Sequence, residues 1–143
     1  MMDDYENYVA DCKRIRKANA ALLADFAAWL KATGIGDKTV KQHCGNIEFY
    51  INQYLLYAEA VEAPAGVHQV DDFLGYWFIR KAMWSSPASI RSNAASLKKF
   101  YGFMAEKSLI GKDDLIDLKA TIKEGMPDWL EAINRFMDDE EDF

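Results

Sequence analysis

The sequence predicts an all-α protein. Apolar residues recur every three or four positions along most of the chain, the period of an amphipathic helix. No stretch keeps the two-residue alternation of a half-buried strand. The three prolines fall where helices are expected to be interrupted or to begin: Pro64 in a loop, Pro87 and Pro127 at helix starts.

A first helical region is expected from about Asp4 to Thr33, with a break near Asn19. Its second part carries Leu22, Leu23, Phe26 and Leu30 on one stripe. Gly34-Ile35-Gly36 should stop it, because glycine accepts the left-handed backbone that follows a helix end. Asp37 then reads as the N-cap of a second helix. Val40, Cys44, Ile47, Ile51, Tyr54 and Ala58 share one face of that helix, spaced four, three, four, three, four. Residues 59–69 hold Pro64 and Gly66 and read as a loop. A third helix, about Asp71 to Met83, is apolar nearly all round and is expected to sit centrally. Ser86 is a cap with Pro87 at the first helical position, opening a fourth helix to about Lys107. Its core stripe is Ile90, Ala94, Leu97, Tyr101 and Met104, with Ser92, Ser96 and Lys99 opposite. Two shorter helices should follow, Asp113 to Lys123 and one from Pro127, separated at Gly125. The end, 138–143, reads as a solvated or frayed tail.

Composition narrows the functional classes. The chain has 143 residues, half of them hydrophobic and 13% aromatic, which suits a packed domain rather than a disordered chain. No apolar run approaches the ~20 residues of a membrane span, and Met1 to Lys17 is unlike a secretory signal. A cytoplasmic protein without a membrane partner is expected. Cys12 and Cys44 are too few for a disulfide scaffold, and with His43 and His68 they form no metal-ligand spacing. Cys44 is expected to pack as a small core residue. No phosphate-loop, nucleophile-elbow or zinc-protease motif is present. No catalytic residue, cofactor, metal or small-molecule substrate is therefore expected.

The net charge of −6 is unevenly spread. Residues 1–33 are neutral, 34–108 carry +1, and 109–143 carry −7. The middle section supplies two basic groups with a possible chemistry. Lys38, Thr39 and Lys41 open the second helix. Ser89, Arg91, Ser92, Lys98 and Lys99 lie on the fourth. Hydroxyls, lysine and arginine are the usual phosphate contacts on DNA, and helix starts favour anions. The plain alternative is a solubilising lysine surface.

The pattern from Phe26 to Ile110 resembles the core-binding, SAM-like N-terminal domain of tyrosine recombinases, the phage integrases. The likeness rests first on Phe26-x-x-Trp29-Leu30, then Gly34 and Asp37-Lys38-Thr39-Val40. The long helix ending near Tyr54 and Val70-Asp71-Asp72-Phe73-Leu74 continue it. Ser89-Ile90, leading through Ser96-Leu97-Lys98-Lys99-Phe100-Tyr101-Gly102-Phe103 to Leu109-Ile110, completes it. The resemblance implies an orthogonal bundle of four helices that clamps one face of duplex DNA, here with two extra C-terminal helices. It divides the chain into 1–110, the core-binding-like domain, and 111–143, an acidic helical extension packed on it. The family's His-x-x-Arg is missing: His43 leads to Asn46 and His68 to Asp71. Its Asn-Pro exit after Ile110 is missing too, so strand cleavage is not expected.

Two functions follow as expectations. One is a stand-alone, non-catalytic DNA-binding or recombinase-accessory module. The other is a protein–protein or self-association module on the same scaffold, using aromatics such as Trp84 and Trp129. The acidic end would repel phosphates, or cover the basic helices as a DNA mimic, if folded over the same face.

Overall fold

The computed structural model describes residues 3–141, with side chains to 139. All regular structure among them is helical. The chain forms two compact units, 1–66 and 67–143.

The first unit begins with α1, Asp4–Ala32, capped by the Asp3 carboxylate accepting from the Glu6 N–H at 2.7 Å. The helix runs through Asn19 without the expected break. Asn19 is instead a buried polar residue whose amide donates to Ile51 O at 3.3 Å and Asn52 Oδ1 at 2.8 Å. The stop at Gly34 is as the sequence implies. Gly34 has φ +90°, and its N–H bonds Lys31 O while that of Ile35 bonds Leu30 O.

The next helix, α2, Asp37–Phe49, starts one residue earlier than expected, with Gly36 as N-cap and Asp37 inside the first turn. It continues as a π segment, Tyr50–Tyr54. The wider π turn changes which residues face inward. Tyr50 pairs with Leu55, and Ile51 with Leu56, five positions on, and all four are buried. The unbroken α stripe would have carried inward as far as Ala58, which is exposed. Leu56 joins Cys12 and Ile15 in a small core against Tyr8 and Ala60. Part of the expected loop is a 3₁₀ turn, Ala63–His68, and the Tyr50 hydroxyl donates to Gly66 O at 2.6 Å.

In the second unit the expected third helix is built of α3, Val70–Asp72, a π segment, Phe73–Trp77, and α4, Phe78–Lys81. The π turn again carries two inward pairs five apart, Phe73 with Phe78 and Leu74 with Ile79. Ser86 and Ser89 form a reciprocal capping box before α5, Pro87–Glu106. The whole expected stripe of α5 is buried, but so are Asn93, Ser96, Phe100 and Phe103. Ser96 therefore does not lie opposite the core: α5 is covered on two sides.

The last element corrects the sequence reading most. One helix, α6, Lys112–Glu141, replaces two, with Pro127 inside it. Gly125 is not a break but a packing site. A Cβ there would stand 2.4 Å from Trp129 Cζ2, and one at Gly75 would stand 2.8 Å from Trp129 Cδ1. The Trp129 indole lies between the two glycines and donates to Asp71 Oδ1 at 2.9 Å. Leu118, Ile122, Trp129 and Ile133 are buried, so α6 contributes one face to the core of the second unit. Of the expected tail, Asp138 and Asp139 are exposed on α6, and the final two residues lie outside the described ones.

Candidate nucleic-acid interface

A cluster of lysines lies between α5 and α6. Lys98 and Lys99 face Lys119 and Lys123 across a cleft of about 730 Å³, whose apolar lining is Ala95, Ile122 and Met126. Among the described residues no carboxylate lines it. None of the four ammonium groups is paired with a carboxylate among the described residues. All four are exposed.

Helical spacing explains why an acidic segment contributes here. Lys119, Ile122, Lys123 and Met126 are three, one and three residues apart and share one side of α6. Asp117, Glu124, Asp128 and Glu131, spaced seven, four and three, form a separate exposed stripe. The −7 average of this segment hides that separation. It concealed Lys119 and Lys123 from the sequence reading; a face-by-face charge count on one uninterrupted helix would have found them.

Of the expected contacts on α5, Lys98 and Lys99 line the cleft. Arg91 is exposed one turn before Ala95 and extends the basic row. Ser92 is half-buried. The Ser89 hydroxyl serves the helix cap: it accepts from Ser86 N–H at 2.7 Å and lies 3.2 Å from Trp84 O. Asn93 is turned inward and donates to Ser89 O at 2.8 Å.

Lys38, Thr39 and Lys41 belong to the first unit and form a cluster of their own. All three are exposed, Lys38 and Thr39 on the first turn of α2 and Lys41 just after it, and Gly36 leaves the turn without a side-chain cap. Asp37 in the same turn offsets part of that charge.

Elsewhere the chemistry is quiet. Cys44 is half-buried rather than fully packed, and burial pushes its thiol up, which keeps it protonated near neutral pH. Among the described residues no cluster of His, Cys, Asp and Glu is arranged to hold a metal ion, and no helix is long and apolar enough to cross a membrane.

No protein-family model matches this chain, and neither a curated protein nor a solved structure resembles it at a significant level.

Proposed function

We propose that this chain is a non-catalytic module that binds duplex DNA through its phosphate backbone, in the accessory role suggested by its resemblance to recombinase core-binding domains. The observation that carries this reading is the convergence of Lys98, Lys99, Lys119 and Lys123 on one cleft with no carboxylate among the described residues of its lining. Unpaired surface lysines gathered from two helices gain by displacing counterions from a polyanion. The lining favours backbone over base contact. Ala95, Ile122 and Met126 offer apolar surface to sugar rings but no aromatic face for stacking an extruded base. Arg91 lengthens the same row, and Lys38 and Lys41 supply a second contact on the first unit.

The test is a titration of labelled duplex DNA by fluorescence anisotropy at several salt concentrations. Each phosphate neutralised contributes about 0.9 to the slope of log affinity against log salt. Lys98→Gln with Lys119→Gln should weaken binding and lower that slope by about 2. An absence of duplex binding at low salt, or a slope unmoved by the double substitution, overturns the reading.

A further inference from the structure

The shape of the lysine cleft limits what it can touch on a duplex. Packed helices keep their axes about 8–10 Å apart, and each is about 10–12 Å across with its side chains. Together α5 and α6 are therefore about 20 Å wide. The major groove of B-DNA is about 12 Å wide and the minor groove about 6 Å, so the pair enters neither. Lys98 and Lys99 on α5, and Lys119 and Lys123 on α6, line a recess between the two helices. A recess accepts a ridge. On a duplex the ridges are the sugar–phosphate strands, and the base edges lie at the floor of a major groove about 8.5 Å deep.

The side chains agree with the shape. Base edges are read most sharply by arginine, asparagine and glutamine, which make paired hydrogen bonds to guanine or adenine. Among the described residues the lining of the cleft has none of the three. Lysine is a compact charge on a flexible stem, without a fixed fork of donors. Asn93, the one amide side chain of α5, is buried and donates to Ser89 O within its own helix. On α6, Asn134 lies about 12 Å along the helix from Met126, and Arg135 is paired with Glu131 at 3.5 Å. Arg91 is exposed one turn before Ala95, outside the lining.

We propose, resting on the duplex-DNA reading, that the cleft seats one sugar–phosphate strand between its two helices and is blind to base sequence. The chain is then a general duplex binder rather than a reader of one recombination site. Its affinity is the electrostatic term that every duplex offers equally, and it holds no preferred register along the DNA.

The experiment uses the full chain and a pool of labelled duplexes with a randomised centre. The pool is bound at low salt, recovered, amplified and bound again over several rounds, and both starting and final pools are titrated by anisotropy and sequenced. The final pool should show no enriched sequence and the same affinity and salt slope as the starting pool. An enriched sequence bound more tightly than the starting pool overturns the inference and leaves the DNA reading standing. A pool not retained at low salt overturns the DNA reading, and this inference with it. Ala95→Glu places a carboxylate in the recess, within helical reach of Arg91, Lys98 and Lys99. It should weaken binding of the starting pool and lower its salt slope by about 1. Because Ala95 is exposed, the variant should unfold at the parent's temperature or above it. Binding that Ala95→Glu leaves unchanged lies outside the cleft and overturns the proposal.

Discussion

Asn19 shows how one buried amide replaces a feature the sequence suggested. It is 1% exposed, and its two hydrogen bonds reach Ile51 and Asn52 in the π segment after α2. Asn19→Ala leaves Ile51 O and the Asn52 side chain without that donor in a buried setting, at a cost of about 1–3 kcal/mol. Urea unfolding should show the loss as a lower midpoint with unchanged slope. Ser108 is the opposite case. It holds φ 59° at the end of α5, where the Ser108 N–H bonds Ala105 O and the Leu109 N–H bonds Met104 O. This is the position glycine occupies after α1. Ser108→Gly should raise stability by up to about 1 kcal/mol, since a Cβ is costly in the left-handed region. A thermal midpoint that falls instead would mean that the serine side chain makes up for the backbone cost.

At the scale of elements, the indole of Trp129 decides how α6 is built. Interior glycine in a helix normally costs about 1 kcal/mol relative to alanine, so Gly125→Ala should stabilise an ordinary helix. Here the new Cβ would lie 2.4 Å from the ring, and the ring cannot retreat, because Gly75 stands against its other edge and Asp71 holds its N–H. Overpacking of this kind costs about 1–3 kcal/mol, which outweighs the propensity gain. Gly125→Ala should therefore lower the thermal midpoint. A rise would show that the indole has another rotamer open to it. The two π segments have a related logic. Each adds one residue to a turn so that two pairs of large apolar side chains, five apart, are buried together.

The whole molecule distributes its charge by face rather than by segment. α6 carries more acidic than basic residues and also half of the lysine cleft, and its apolar stripe helps to close the core of the second unit. Ending the chain at Gly111 would uncover the side chains that Leu118, Ile122, Trp129 and Ile133 pack against. Such a chain should lose cooperative unfolding and gain binding of a hydrophobic dye. Its affinity for duplex DNA should not rise, because Lys119 and Lys123 leave with the acids. Higher affinity in a chain that still unfolds cooperatively would instead favour α6 acting as an internal DNA mimic.

The sequence by itself determined the all-helical class, the stop at Gly34, the cap at Ser86 and the core stripe of α5. These depend on local chemistry: periodic burial, a left-handed glycine, and a serine hydroxyl within reach of free N–H groups. It also named Lys98 and Lys99, half of the cleft. Tertiary structure alone decided the continuity of α1 and α6, the two π turns and the partners of Lys98 and Lys99. Each depends on a group distant in sequence. Asn19 bonds across 32 residues to Ile51, Trp129 across 58 to Asp71, and α6 brings Lys119 and Lys123 back to α5. A glycine or asparagine within a helical pattern reads locally as a break because its intrinsic propensity is poor. Only the fold shows that the same residue is there to admit an indole ring or to satisfy a buried carbonyl.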